Sequence, residues 1–476
     1  MSAPTQNQQD KAPATGRVGR SLATWNQWMD SHPGIDYFMI RSVVFLITGI
    51  GIVMVLSSSM TWSILDGDTV WSQAMHQGTM VIVGLVAFIV ALRMKPTLIR
   101  TLAPWLLGIA LVLLVLVLIP GIGTGRAEVG SQSWIVVGPL RLQPSEVAKV
   151  AIAIWGASFL SPPANELPSL HKRLRIYAIV AIVMAGLIAL EGDIGMAMSF
   201  AVLVIFTLFF AGSSIRSFLS AIAVVAVGLV GLLLAGGFRS SRFIVYFDAF
   251  FGRFEDTQGT AFQSYQGFLS LADGSTFGVG LGQSRAKWFY LPEAKNDFIF
   301  AVIGEELGLW GGILVIGLFG LLGYFGLRTA LRAQDRFQSL MAATLTASVV
   351  SQAFINIGYV IGLLPVTGIQ LPMISAGGTS AIITLGSMGL LANIARHEPE
   401  AISATQSYGR PLFDRLLLMP EPGAPASTDS YSRPRERFGA PVTGSVKEET
   451  RNDRRRQDPP SRRERRSSPS PYDRRR

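Results

Sequence analysis

From about residue 38 the chain alternates long apolar blocks with short polar ones. The blocks fall at about 38–58, 74–92, 102–120, 144–161, 174–191, 193–212, 215–236, 297–325, 340–363 and 373–395. Each approaches the roughly 20 apolar residues that a helix needs to cross a bilayer. The alternating segments of a transmembrane barrel are absent. The pattern predicts an all-α polytopic membrane protein with ten transmembrane helices. Polar residues open the spans at 144–161 and 193–212.

Lys and Arg orient this arrangement. Arg93, Lys95 and Arg100 lie between spans two and three, and Lys172, Arg173 and Arg175 between four and five. Arg216 follows span six, and Arg328, Arg332 and Arg336 separate eight from nine. The loop at 59–72 has neither Lys nor Arg. Basic loops in every second position predict that both termini are cytoplasmic. Three loops then lie outside: Gly121–Gln143, a large one at Gly237–Asn296 between helices seven and eight, and Leu363–Pro372. The large loop is too long for a connector. Its aromatic stretch Ser241–Phe251 predicts a short interfacial amphipathic helix. Residues 1–36 and 398–476 flank the membrane domain (37–397) as polar segments with the composition of disordered tails.

Composition narrows the chemistry. Charged residues make up 15% of the chain, against roughly 25% in soluble proteins. There is no cysteine, so thiol and disulfide chemistry is excluded, and the four scattered histidines form no zinc pattern. No short apolar segment precedes the first span, so no cleaved leader is expected. Residues 401–476 hold 17 Lys/Arg and 10 Asp/Glu, about +7 of the chain's +10. Such a tail suits anionic lipid or an acidic protein partner; no nucleic-acid partner is expected.

Carboxylates and lysines remain as candidate chemistry, and they gather near the large loop. The stretch Gly280–Gly308 carries Lys287, Glu293, Lys295 and Asp297, then Glu305 and Glu306 inside an apolar run. Charges at membrane depth are costly and have either a partner or a task. The structural alternative is that Asp297 caps a helix and the glutamates pair with basic neighbours. Asp297 is expected in the first turn of span eight, behind Asn296 as cap, where the helix dipole favours the carboxylate. Glu146 and Lys149 stand three apart at the start of span four, on one helix face where they can pair. Pro144 and Ser145 suit a helix start. Asp193 sits in a tight outer turn beside Glu191. The run GLLPVTGIQLPMISAGGTSA reads as a broken helix or re-entrant segment, tolerated where it lines a buried or wet cavity. A transporter, an extracytoplasmic enzyme on a lipid-linked substrate and a sensor all fit these features.

Four motifs in order, QPSEVAK, EGDIG, YLPEAKNDFIFAVIGEELG and LLPVTGIQLPMISAGGTS, resemble the SEDS family of peptidoglycan glycosyltransferases over about 37–397. YLPEA before the acidic block is more similar to the family's cell-division branch than to its elongation branch. The sequence departs from the family at Lys295-Asn296 (usually His-Thr), at GSQSWI, which lacks the common arginines, and at EGDIG in place of Pro-Asp-Leu-Gly. The resemblance implies polymerisation of lipid II outside the cytoplasmic membrane at the division septum, by inverting transfer with undecaprenyl pyrophosphate leaving. It implies Asp297 as general base, and brings Trp134, Glu146, Lys149, Asp193 and Ser375 to the central cavity. Glu293 stands beside the base. Lys287, Lys149 and Arg253 are candidates to hold the pyrophosphate. No cofactor is required, although Asp297 and the pyrophosphate could share a divalent cation such as Mg or Mn. The implied partners are a class B penicillin-binding transpeptidase and other divisome proteins. A lipid II flippase and a non-catalytic division scaffold are the competing readings.

Overall fold

The computed structural model describes residues 29–65, 71–126, 130–138, 140–162, 170–234, 262–291 and 293–423, together with Thr24, Thr69 and Tyr246. The chain divides into Met1–Ala424 and Pro425–Arg476, the second outside the described residues. Arg253, most of the expected interfacial helix at 241–251 and the basic tail clusters also lie outside them.

The helices of the bundle are α1 (Ile35–Leu65), α2 (Ser72–Arg93), α3 (Pro96–Val117), α4 (Pro144–Phe159), α5 (Leu170–Leu190), α6 (Ile194–Phe210), α7 (Ile215–Leu234), α8 (Phe262–Gly274), α9 (Ile299–Arg332), α10 (Arg336–Val360) and α11 (Gly378–Arg396). Seven of them, α1, α2, α3, α5, α9, α10 and α11, are long and apolar enough to cross a membrane. The protein is therefore an α-helical polytopic membrane protein. Helices α4, α6 and α7 coincide with the other apolar blocks but are shorter or less apolar. At 16 residues, α4 is about 24 Å long.

The expectation of helix alone misses one element. Between α3 and α4 lies a three-stranded antiparallel sheet of β1 (Gly123–Thr124), β2 (Trp134–Val137) and β3 (Leu140–Leu142). Ile135 pairs with Gly123 on one side and Leu142 on the other.

Small residues let the helices approach, as packing without a hydrophobic driving force requires. Helix α11 packs on α2, and a Cβ at Gly389 would lie 2.4 Å from the Phe88 carbonyl oxygen. The Asn393 amide donates to the carbonyls of Ala91, Leu92 and Met94 at 2.7–3.0 Å, satisfying the end of α2. The segment 361–377 has no regular helix, yet Ile369, Leu371 and Ile374 are fully buried. Its carbonyl at Ile369 accepts from Asn356 Nδ2 and lies 2.7 Å from the Tyr359 hydroxyl, both on α10.

At the basic end, chain expected to be a tail is folded. Residues 398–423 form α12 (Pro399–Tyr408) and α13 (Leu412–Leu416). Asp414 is buried, with its carboxylate 2.7 Å from Arg396 Nε and 2.7 Å from the Tyr37 hydroxyl. On the N-terminal side, Met29 is buried and Asp30 meets Arg328 at 2.9 Å. Composition placed the tail boundaries at 36 and 398 because these segments are too short to bury a core of their own. They dock on the ends of the bundle instead.

Candidate active site

The opposite end of the bundle holds a cavity of about 790 Å³. It is bordered by the starts of α2, α4, α6 and α11, the sheet, and the turn that precedes α9. Asp297, Glu293, Lys295, Glu146, Asp193 and Arg141 all line it. The carbonyl and amide side chains of Gln73, Gln77, Gln143 and Gln370 line it too.

Asp297 is held by its backbone. Its carbonyl accepts from Asn356 Nδ2 at 2.9 Å and lies 2.9 Å from the Tyr359 hydroxyl. Ser375 Oγ donates to the Asn296 carbonyl at 2.7 Å and accepts from Leu371 N at 2.8 Å, and Ala376 N donates to the Lys295 carbonyl at 3.0 Å. The turn is thus stitched to α10 and to the irregular segment 369–376. The position differs from the sequence expectation. Helix α9 begins at Ile299 with Phe298 as its cap, so Asp297 stands just outside the helix. Asn296 does not cap it; its amide donates to Glu293 Oε2 at 2.6 Å. Glu293 itself has a positive φ of 55°, a conformation that ordinary side chains adopt at a cost.

Glu146 and Lys149 do pair, at 3.1 Å, and both are buried. Glu146 reaches the cavity, whereas Lys149 lies behind the lining. Its ammonium donates to Gln352, whose amide donates to the Gln370 carbonyl at 3.0 Å. Lys149 therefore braces the wall. Asp193 caps α6, accepting from Met196 N at 3.0 Å, and also accepts from Gln143 Nε2 at 3.2 Å. Trp134, in β2, lines the cavity directly, while Ser375 acts from behind through Asn296.

Lys287 is not part of this lining. It is buried, donates to the Gly282 carbonyl and lies 3.8 Å from Glu306. Glu305 and Glu306 grip the loop around it. Glu305 accepts from Ser284 Oγ at 2.7 Å and Arg285 N at 2.6 Å, and Glu306 accepts from Ser57 Oγ at 2.6 Å. The cation the sequence placed first is committed to a buried ion pair. Lys295 and Arg141 occupy the cavity instead, and Lys295 Nζ donates to Gln73 Oε1 at 2.9 Å. Arg141 was legible only through the hairpin: a β-branched run, Gly-Pro, then Leu-Arg-Leu.

Glu191, beside Asp193, is buried, and its carboxyl oxygens have no hydrogen-bond partner among the described residues. Burial, reinforced by the charge of Asp193, pushes it up to about 9. No group of three or more His, Asp or Glu side chains able to hold a metal occurs among the described residues. A divalent ion here would need substrate oxygens to complete its shell.

The fold and the cavity define an α-helical polytopic membrane protein with a large polar chamber at the end opposite its basic loops. The family described as Cell cycle protein, which groups FtsW, RodA and SpoVE, matches residues 37–400, and the chain belongs to it. Over 414 residues it is 42% identical to the probable peptidoglycan glycosyltransferase FtsW of Mycobacterium tuberculosis, covering 87% of this chain and 78% of that protein. It is 38% identical to stage V sporulation protein E of Bacillus subtilis, over 76% of this chain and 97% of the relative. Among solved structures, the rod shape determining protein RodA of Thermus thermophilus aligns with a TM-score of 0.55 at 25% identity, over 76% of this chain and 96% of that one. A chain from a peptidoglycan synthase complex that coordinates polymerization and crosslinking shares the fold, with a TM-score of 0.59 at 23% identity over 75% of this chain and 97% of that one.

Proposed function

We infer that this chain is a peptidoglycan glycosyltransferase that polymerises lipid II into glycan strands at the outer face of the cytoplasmic membrane, at the division septum. Its relation to FtsW supports the activity. The observation that carries the chemistry is the place of Asp297, a carboxylate lining a polar cavity beside Lys295 and Arg141 on a turn fixed from three sides. We read ten crossings, the seven long helices plus α4, α6 and α7, with both termini cytoplasmic. The basic helix ends at Arg93, Arg328 and Arg396, all remote from the cavity, support that orientation.

The Asp297 carboxylate takes the proton of the acceptor's 4-hydroxyl as that oxygen attacks the anomeric carbon of the donor's MurNAc. The bond from that carbon to the pyrophosphate oxygen breaks on the opposite face, its electrons remain on undecaprenyl pyrophosphate, and the configuration inverts from α to β. Pyrophosphate is already a good leaving group, so it needs cations more than a strong acid. Lys295 and Arg141 supply them in the role first assigned to Lys287, with Arg141 able to bind two oxygens at once. Glu146, Asp193, Trp134 and Glu293 shape the rest of the chamber. A class B transpeptidase is the expected partner, a reading supported by the description of the related synthase complex as coordinating polymerization with crosslinking.

Asp297→Asn tests the assignment. The change is nearly isosteric, and its backbone contacts are carbonyl contacts that the amide leaves intact. General-base catalysis is worth about 100- to 10,000-fold, so glycan chains made from labelled lipid II should fall at least about a hundredfold with expression unchanged. Chain synthesis near the wild-type rate would end the general-base role. A folded variant inactive in chain synthesis but still moving lipid II across vesicles would point to a transporter.

A further inference from the structure

At the basic end, α13 packs beside a part of α1 that crosses the membrane. The ring of Phe413 lies 5.9 Å from that of Phe45, and its centroid 4.3 Å from the Arg41 guanidinium. Phe45 stands about 15 Å along α1 from Ile35, inside Ile35–Ser59, the stretch long and apolar enough to span a bilayer. Helix α13 therefore lies at the level of the membrane rather than beyond it. Phe38 and Leu46, before and after this contact on α1, are exposed and form part of the lipid-facing surface.

The segment has two faces. Asp414 is buried and holds Arg396 and Tyr37, while Phe413 and Leu417 pack against the core. Leu412 and Leu416, one turn apart on the outer face, are 75% and 81% exposed, and Leu418 is 83% exposed. Leu418 also has a positive φ of 49°, which a branched, bulky side chain adopts at a cost. Its neighbours enforce that conformation. Arg93 donates to the Leu417 carbonyl, Met419 N to the Asp414 carbonyl at 2.8 Å, and Arg410 Nη1 to the Met419 carbonyl at 3.0 Å. A strained leucine turned outward beside two others makes an apolar surface that water does not favour. Cations flank it: Arg415 is exposed on α13 itself, and exposed Lys95 follows Arg93 by two residues.

We propose that α13 is an interfacial anchor, with Leu412, Leu416 and Leu418 inserted into the lipid leaflet at the basic end and Arg415 and Lys95 at its headgroup phosphates. Apolar side chains below and cations above are what such an interface selects. The surface continues the lipid-facing side of α1. A helix of five residues has little affinity of its own for a membrane, and the buried contacts of Asp414 and Phe413 hold it there instead. The proposal is independent of the reaction in the polar chamber and of the Arg-rich sequence after residue 423.

The chain has no cysteine, so a nitroxide can be placed at one position at a time. The full chain is labelled at Leu412→Cys, Leu416→Cys or Lys95→Cys and reconstituted in vesicles of phosphatidylglycerol and phosphatidylcholine. Collisions are then measured with oxygen, which concentrates among acyl chains, and with a water-soluble nickel chelate. Labels at 412 and 416 should collide with oxygen and lose nickel collisions, as a label at Leu46→Cys does, whereas the label at 95 should meet nickel. All these side chains are exposed or at the lipid surface, and an unchanged melting temperature shows that each variant is folded. Equal readings at 95, 412 and 416 overturn the proposal; equal nickel collisions would leave the face in water, open to a protein partner. Labels at 412 and 416 shielded from both reagents would mean that protein covers the face, which overturns it as well.

Discussion

Lys287 and Lys295 stand eight residues apart in one polar stretch, and their surroundings give them opposite duties. Lys287 balances the buried carboxylate of Glu306, and Lys295 faces the chamber. The sequence shows two equivalent cations; what separates them is the grip of Glu305 and Glu306 on the backbone at 284–286, a contact that spacing does not reveal. Lys287→Met should therefore lower the melting temperature, because it strands a buried charge. Lys295→Met should leave the melting temperature alone and cut glycan synthesis by about a hundredfold, the scale of losing one donor to a developing negative charge. Thermal shift and product gels on both variants give the answer, and the reverse assignment would restore Lys287 as the pyrophosphate ligand. Glu191 yields a prediction in pH. Its folded value of about 9 lies above the ordinary 4.5, so between those values the folded chain keeps a proton that the unfolded chain has lost. Stability must then fall as pH rises across that window. Glu191→Gln should flatten the slope and raise the melting temperature at pH near 8, about where the wild-type penalty is largest before the group ionises in place. An identical pH slope in the variant would remove Glu191 as its source.

Helix α9 shows how far an element can be read from its apolar pattern. Its start, within two residues, and its buried glutamates were legible, because a long apolar run with charges near one end leaves few alternatives. Its interruption was not. Gly308 has φ +68° and breaks the helix, and the missing bonds are supplied by chain about thirty residues earlier. Val279 N donates to the Glu305 carbonyl at 2.9 Å, Gly280 N to the Glu306 carbonyl at 3.1 Å, and Leu309 N to the Ser275 carbonyl at 3.0 Å. Around the break the loop thus docks on the helix through backbone bonds, beside the side-chain grip of Glu305 and Glu306, and a Cβ at Gly308 would lie 2.4 Å from Gly278 N. The sheet between α3 and α4 was missed for a related reason: its strands, Gly123–Thr124, Trp134–Val137 and Leu140–Leu142, are too short to show an alternating pattern. Gly308→Ala should be damaging on both counts, positive φ and lack of space. We expect a loss of about 1–3 kcal/mol, seen as a lower melting temperature and faster proteolysis of the 275–291 loop. Polymerisation should fall with them although no chamber residue is changed. Normal loop protection in Gly308→Ala would show that the docked loop is not held from this point.

Across the whole molecule the two ends of the bundle are built on different principles. The chamber end keeps several charges beside a cavity, with the pairs Glu146–Lys149 and Lys287–Glu306 behind it, whereas at the basic end paired arginines hold the terminal segments. Arg328 meets Asp36 and Asp30, Arg332 meets Asp30 and Glu400, and Arg396 meets Asp414. The last pair matters most for the C-terminal segment, since both side chains are buried and Asp414 also accepts from Tyr37. Arg93 donates to the Leu417 carbonyl, Arg396 to that of Pro420, and Arg41 lies 4.3 Å from the ring centroid of Phe413. Residues 398–423 are therefore a docked strap across the ends of α1, α2 and α11. Composition hid this, because the Arg-, Pro- and Ser-rich sequence with few aliphatic residues after Met419 reads as tail and carried the preceding residues with it, although Leu412, Phe413, Leu416 and Met419 were visible there. Two truncations should now behave differently. Ending the chain after Gly423 removes the Arg-rich remainder and leaves every one of these contacts, so purified protein should keep full polymerase activity and its melting temperature. Ending it after Ile402 removes Asp414 and leaves Arg396 buried without its carboxylate, a loss on the order of 3–5 kcal/mol for a broken buried pair. That shorter chain should express poorly, melt earlier and lose activity in proportion to its unfolded fraction. Arg396→Met in the shorter chain should recover part of the stability by removing the stranded charge. If both truncations melt like the full chain, the strap is dispensable and its ion pair contributes nothing net.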